Sequence, residues 1–574
     1  MVFRRFFQQL HPFRLPGAAW RWFTNWRRRR HKDLDYILLN LPSTMPALPE
    51  SRDFIQRRLF GKPPLSLWEL KLAFERLAAD PRPKGIVISL HGLEMSLADL
   101  QTLRGMLQFL KERGKRVIVH AQLYDTTQYY LASAADEILL QPSGDFMVTG
   151  IATEAYFLKD ALAQAGVTVD VIAITPYKGA FDQFSLNEIS PEGRAQLEWL
   201  LDSRYQQIAR GIAEGRGISS ETVQAMIDHS PQIDTAALAA KYVDALAYEN
   251  ELPAHLNVKR LVDWKEAQRK LFKPPPKPYN EKYVALLRVD GMMVSGESGG
   301  APGDIPIPIP VPFLGEDRSG DITVVQQIRA ILQDDSAAAV VLYIDSGGGA
   351  VSAASAMGQA LDELARTRPL VAYMNGVAAS GGYWVAASSQ HIYAQPGTIT
   401  GSIGVVMAKP VAGGLLEKFQ INAAHFKRGA NADIYDVTKP FNETQRLQMR
   451  ASIDDIYRRF VERVAAARKL SFEAVDAISG GRVWTGEQAL ENGLVDALGS
   501  LEAAVAKARE LANLPEYAPV IFWEEGDPLP PQIVEAAQKA AQNANPVGWI
   551  GYMWENAMHV ASSRAQAIMP FRLK

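Results

Sequence analysis

A shift of 254 residues lays this chain on itself, and that internal repeat constrains the fold more than any other feature of the sequence. At this offset Gly85-Ile-Val-Ile-Ser-Leu falls on Ala339-Val-Val-Leu-Tyr-Ile, and Arg116-Val-Ile-Val falls on Leu370-Val-Ala-Tyr. Tyr129-Tyr-Leu-Ala likewise falls on Tyr383-Trp-Val-Ala, Ile138 on Ile392, Gln141-Pro142 on Gln395-Pro396 and Gly150 on Gly404. The match runs without a gap over about 65 residues. Tyr36-Ile-Leu-Leu-Asn reads as a strand, Asp53 to Asp80 as helical, Gly85 to Leu90 as a buried strand, Leu97 to Arg113 as a helix and Arg116 onward as the next strand. Strand and helix alternating over short connections are the mark of a parallel sheet covered by helices. A chain of 574 residues also exceeds what one core can hold, roughly 250–300 residues. The expectation is therefore two related α/β halves, 34–272 and 281–515, joined by a proline-rich linker at 273–280. Within the second half, Ser295 to Ser319 contains Ile-Pro-Ile-Pro-Ile-Pro-Val-Pro, which forbids a ladder strand and favours an extended loop.

Charge and composition exclude several function classes. Lys plus Arg is 61 and Asp plus Glu 63, a balance that argues against a protein built to coat nucleic acid. There is no cysteine, so disulfides, thiolate metal sites and a cysteine nucleophile are excluded. Nine histidines without an H-x-x-x-H or H-E-x-x-H pattern argue against a zinc enzyme, and no cofactor is expected. The balance hides an asymmetry: residues 1–33 carry eight Arg and no acid up to Lys32, interleaved with Phe3, Phe6, Phe7, Phe13, Trp20, Trp22, Phe23 and Trp26. No stretch there is long and apolar enough to span a bilayer. Aromatic and basic residues together suit a membrane interface, with rings at headgroup depth and Arg on anionic lipid. A disordered basic arm and a nucleic-acid arm are the alternatives. The tail, 516–574, repeats the theme weakly with Trp549, Tyr552 and Trp554, and reads as membrane- or oligomer-contacting.

The two copies differ where chemistry would sit. In the second, the strand from Val340 runs into Asp345-Ser-Gly-Gly-Gly349, a run of glycines that can expose backbone N–H groups to a ligand oxygen or serve only as a tight turn. The equivalent of this nest in the first copy is Gly92-Leu-Glu-Met. Ser380 follows Ala378-Ala379 and precedes Gly381-Gly382 at a helix start, where a hydroxyl faces the positive end of the helix or simply caps it. Its counterpart is Thr126.

A nucleophilic serine needs a base. His391 sits in a strand-like run and His425 has no evident partner, so a histidine triad is poorly supported. A lysine could serve, but to be neutral near pH 7 it must fall by roughly three pH units from ~10.4, costing about 4 kcal/mol, which demands apolar surroundings. Lys178 follows the apolar run Val169 to Ile174, and its counterpart, after a short deletion, is Arg428, which stays charged. One copy keeps the lysine and lacks the serine; the other keeps the serine and lacks the lysine.

Gly348-Gly349 after a strand, Ala379-Ser380-Gly-Gly-Tyr-Trp, Thr398-Ile-Thr-Gly-Ser402-Ile-Gly and Tyr177-Lys178 together resemble the long form of signal peptide peptidase A, also called protease IV. The resemblance covers roughly residues 35 to 515. It implies an α/β tandem repeat of two Clp-protease/crotonase-like ββα-superhelix domains. It further implies Ser380 as nucleophile, Lys178 as general base, Gly348 and Gly381 as backbone oxyanion donors and Ser402 as the group orienting the lysine. Implied substrates are hydrophobic signal-peptide remnants, and the implied assembly is a membrane-associated homotetramer. This chain departs from the family in having Asp345-Ser-Gly347 where Asn-Ser-Pro is usual, and the basic aromatic arm in place of a single transmembrane anchor. The rival readings are an acyl-CoA hydratase or isomerase on the same superfamily fold and a catalytically inactive membrane scaffold.

Overall fold

The computed structural model describes residues 23–30, 34–50, 58, 61–275, 278, 280–299, 317–523 and 566–568. The chain divides into two compact units, one running to Ile151 and resuming at Tyr205–Tyr279, the other joining Ala152–Arg204 to the chain from Asn280 onward.

In the first unit the elements are β1 (Tyr36–Leu41), α1 (Leu67–Ala79), β2 (Gly85–Leu90), α2 (Leu97–Glu112), β3 (Arg116–Asp125), α3 (Thr126–Ala132) and β4 (Glu137–Met147). The four strands lie side by side in the order β4-β3-β2-β1, all parallel. All six residues of β2 are buried, which is what a strand covered on both faces requires and why it reads as an unbroken apolar run. Of the stretch Asp53 to Asp80 read as helical, residues 53–57 and 59–60 lie outside the described residues; α1 itself starts at Leu67, where Ser66 and Glu69 form a reciprocal cap. Pro63 and Pro64 just upstream cannot continue a helix backwards from that cap.

In the second unit the same order recurs. It comprises β5 (Thr168–Ala173), the first part of α4 (Pro191–Arg216), β6 (Tyr283–Val294), α5 (Asp321–Leu332), β7 (Ala337–Ala350), α6 (Val351–Thr367), β8 (Leu370–Ala379), α7 (Gly381–Ala386) and β9 (His391–Ala394). Further on come β10 (Ile399–Gly401), β11 (Val406–Val411), β12 (Val483–Thr485), β13 (Val520–Trp523) and β14 (Gln566–Ile568). Strands β6, β7, β8 and β9 are parallel neighbours in that order. Leu97 and Val351 open equivalent helices, Arg116 and Leu370 equivalent strands, and Glu137 and His391 the next strands, each pair 254 positions apart. The repeat read from the sequence is thus a repeat of elements, and each copy encloses its own apolar core.

The repeat and the unit nevertheless differ in extent. Residues 152–204 fall in the first repeat by sequence but pack with the second unit. The reason is a hydrogen-bonded ladder: β5 pairs antiparallel with β11 from Ala173–Val406 to Thr168–Val411. This ladder carries the segment that follows β5, including Lys178, into the unit that holds Ser380. Two further strands complete that sheet. β13, from the expected tail, runs parallel to β6, and β14 lies antiparallel to both β7 and β11.

Other expectations fall partly outside the described residues. Of the basic arm, residues 1–22 and 31–33 are outside them; residues 23–28 form a helix, and its Asn25 exchanges hydrogen bonds with the Lys273 backbone. No helix among the described residues is long and apolar enough to cross a membrane. The proline run, residues 300–316, is also outside them, while Gly299 and Arg318 at its two ends form an antiparallel bridge.

Candidate active site

Strand β7 keeps an unbroken register from Val340 to Ile344 and then bulges. Its register with β8 slips between Ile344 and Ser346, and with β6 between Asp345 and Gly348. A bulge re-aims the residues that follow it. Gly348 sits at φ 102°, a conformation that a side chain disfavours. The turn has no proline, and side chains fasten it instead. Asp345 accepts hydrogen bonds from the Asn375 side chain at 2.9 Å and the Val377 N–H at 3.0 Å, and the Ser346 hydroxyl donates to the Gly291 carbonyl at 2.5 Å. The Gly348 N–H donates to the Ser346 hydroxyl at 3.2 Å. Gly381 stands beside it: a Cβ added there would lie 3.1 Å from Gly348 Cα, tight enough that the neighbouring backbone would have to give.

Ser380 joins β8 to α7 in a strained conformation, φ 57° and ψ −114°. Its N–H donates to the Gly401 carbonyl at 2.8 Å, and its carbonyl accepts from Trp384 N–H at 2.9 Å. Its hydroxyl makes no capping bond to the helix, so the capping reading of this residue does not hold. In the first unit the equivalent helix is capped conventionally by Asp125, and Thr126 is tied to Gly150 by hydrogen bonds of 2.8 and 3.0 Å. The two copies thus use the same corner for different ends.

Lys178 arrives from the β5 side. Its Nζ donates to Ser380 Oγ at 2.8 Å, to Ser402 Oγ at 2.9 Å and to the Ser402 carbonyl at 2.7 Å. Lys178, Ser380 and Ser402 are all fully buried or nearly so. Burial holds the lysine well below its ordinary value, because the charged form loses its hydration and gains no carboxylate in exchange. The nearby Asp182 carboxyl is itself pushed up to about 6 by burial, with the charge of Glu192 adding to the effect. A neutral amine 2.8 Å from a buried hydroxyl can take its proton.

Several residues that seat the lysine escaped the sequence reading. Gly481, at φ 95°, packs so closely that an added Cβ would lie 2.7 Å from the Cα, Cβ and N of Lys178. Its N–H donates to the Ile403 carbonyl at 2.8 Å, and the neighbouring Arg482 carbonyl accepts from Ser402 N–H at 2.6 Å. Thr175 donates its hydroxyl to the Gly480 carbonyl, and the Arg482 guanidinium lies 4.2 Å from the Tyr177 ring. One turn, 479–483, therefore braces both the lysine and Ser402. The Gly480-Gly481 pair was the available signal in the sequence. The histidines lie elsewhere: His391 is half-buried on β9 against Tyr393, and His425 pairs with Asp436 at 3.2 Å.

Comparison with known proteins assigns the class: this chain is a serine peptidase. It belongs to peptidase family S49, which matches it twice in tandem, over residues 109–263 and 362–515. It is 32% identical over 510 residues to Protease 4 of Salmonella typhi, covering 84% of this chain and 78% of that protein. Protease 4 of Haemophilus influenzae is 28% identical over 524 residues, 85% of this chain and 80% of the relative. The chloroplastic serine protease SPPA of Arabidopsis thaliana is 29% identical over 471 residues, 81% and 68% respectively. The hydratase and scaffold readings find no support among these relatives.

Proposed function

We propose that this peptidase works through a Ser–Lys dyad. Ser380 Oγ attacks the scissile carbonyl carbon while its proton passes to Lys178 Nζ, and the carbonyl becomes an oxyanion. The Gly348 N–H, turning from the Ser346 hydroxyl, and the Gly381 N–H donate to that oxyanion. The lysine then gives the proton to the departing amide nitrogen, the C–N bond breaks and an acyl-enzyme remains. Water, deprotonated by the same lysine, releases the acid and restores Ser380. Ser402 accepts from the ammonium through its hydroxyl and carbonyl and keeps Nζ aimed at Ser380. The observation that carries this reading is the 2.8 Å contact between a buried, carboxylate-free lysine and the hydroxyl of a strained serine.

The test is covalent labelling. A fluorophosphonate should add once, on the peptide containing Ser380, at a rate that rises with pH through the lysine's depressed value. Labelling elsewhere, or none, would remove the dyad.

The substrates we infer are apolar peptides such as signal-peptide remnants, met at a membrane surface. The basic aromatic arm supports peripheral attachment: Arg27 to Arg30 form one basic cluster, with Phe23 and Trp26 exposed beside it. Flotation of the full chain with anionic liposomes, against a variant with Arg27, Arg29 and Arg30 changed to Glu, should show binding fall by about a hundredfold or more, at about 1 kcal/mol for each of the three basic residues near the surface. Equal flotation would remove the arm as an anchor. A homotetramer is part of the same reading, and a light-scattering mass other than four chains would exclude it.

A further inference from the structure

The first unit carries a cluster of charges that the peptidase reading leaves unused. Asp80 ends α1 and is fully buried. Its carboxylate accepts from the Arg82 guanidinium at 2.6 and 2.9 Å, and from the N–H groups of Phe272 at 2.9 Å and Arg82 at 3.1 Å. Arg82 also donates to the carbonyls of Arg28 and Lys270, and Arg28 donates to the carbonyl of Leu271. The helix 23–28 is thereby seated where α1 ends and where the chain passes through 270–272.

This seat gathers more positive charge than it neutralises. Asp80 is in salt-bridge contact with Arg82. Among the described residues neither Arg28 nor Arg76 reaches a carboxylate in that way. Burial, followed by the charges of Arg76 and Arg82, holds Arg28 below its ordinary value. Arg76, in the last turn of α1, gives Nη1 and Nη2 to the side-chain and backbone oxygens of Gln268 at 3.0 and 3.1 Å. Its Nε and the Nε2 of Gln268 are buried without an acceptor among the described residues. A buried donor left unmatched loses the whole of its hydration. Water can match such a donor, but only an anion also relieves guanidiniums crowded together.

We propose that Arg28, Arg76 and Gln268 form a phosphate-binding site on the first unit, taking either an anionic phospholipid headgroup or a free phosphate ion. Planar guanidinium forks match phosphate oxygens, and the Gln268 amide supplies a neutral donor beside them. The lipid source fits the surroundings. Phe23 and Trp26 are 41% and 42% exposed on the same helix, beside Arg27 and Arg30, and such rings suit headgroup depth. That form of the proposal deepens, and rests on, the membrane-attachment reading above; the free ion does not need it.

The test uses the full chain and two probes, inorganic phosphate and phosphatidylglycerol vesicles. If the free ion is the ligand, phosphate should raise Tm saturably by about 2 °C or more over chloride at equal ionic strength. If the headgroup is, Arg28→Gln and Arg76→Gln should each weaken vesicle binding at least about thirtyfold. Arg29→Gln, the same change of charge on an exposed neighbour, should cost only the roughly fivefold of diffuse attraction. Any phosphate shift should vanish in the two site variants and persist in Arg29→Gln. Gln268→Glu keeps the test open where an arginine variant fails to fold. It places a carboxylate beside Arg76, so it should raise Tm in chloride and abolish the response to phosphate. The site is overturned by the absence of a phosphate shift together with site variants that weaken vesicle binding no more than Arg29→Gln does. A Gln268→Glu protein that melts below the parent in chloride would overturn it as well. A parent that ignores the vesicles, yet shows a phosphate shift that the site variants abolish, would end the attachment reading and leave the site standing. Vesicle binding lost only on reversal of Arg27, Arg29 and Arg30, with no phosphate shift, would do the opposite.

Discussion

Lys178→Met is expected to lower kcat/KM for peptide hydrolysis by about 10³- to 10⁴-fold while making the protein less sensitive to acid. The activity loss follows from the 2.8 Å contact to Ser380 Oγ: methionine fills the same space and accepts no proton from the hydroxyl. Lys178→Arg should be as inactive, since a guanidinium stays charged. The stability effect follows from burial. In the folded chain the lysine releases its proton well below the ordinary lysine value, whereas in the unfolded chain it holds that proton to about 10.4. Between the two values the unfolded state binds more protons, so stability rises with pH across that window and the penalty is gone at its upper end. Methionine removes this slope. Two buried hydroxyls, Ser380 and Ser402, lose a partner in exchange, at about 1 kcal/mol each. The variant's gain in Tm over the parent should therefore be full below the lysine's depressed value and shrink as the pH rises from there toward 10. A parallel offset at all pH values would mean that the lysine is not depressed. In the parent, the acid limb of kcat/KM should lie well below 10.

Much of this site was legible because the chain contains its own control. Ser380 against Thr126 is a contrast between equivalent corners of the two units, so a change of chemistry stood out from shared packing, whereas Lys178 is buried and Arg428 exposed, so their pairing belongs to the sequence alone. The strands were legible for a related reason: β2 is buried on both faces and has to be apolar throughout. What the pattern could not convey depends on contacts between distant segments. That residues 152–204 join the second unit is decided by β5 pairing with β11, and neither strand records its partner. The start of α1 at Leu67 was set by a reciprocal cap and two prolines, local chemistry that apolar periodicity ran past. Gly481 matters only because the backbone of Lys178 lies against it. The pairing of β14 was least visible of all, because a three-residue strand has no periodicity to detect.

Ser380→Ala and Ser380→Gly should both abolish hydrolysis, by roughly 10⁶-fold in kcat, yet differ in stability in the order opposite to ordinary helix and strand positions. Alanine keeps a Cβ on a backbone at φ 57° and ψ −114°, a strain of about 1–3 kcal/mol. Glycine relieves it, at the cost of about 0.4–1 kcal/mol of extra freedom in the unfolded chain. Both variants leave Lys178 without the Oγ partner, so that loss cancels in the comparison. The glycine variant should therefore be more stable than the alanine variant by about 1 kcal/mol in urea unfolding. The reverse order would mean that the corner is relaxed in solution. The strain is held from both sides, by Ser380 N–H on the Gly401 carbonyl and by Trp384 N–H on the Ser380 carbonyl. Gly401 immediately precedes Ser402, so the bonds that force Ser380 into its strained turn also fix Ser402, which accepts from Lys178 Nζ.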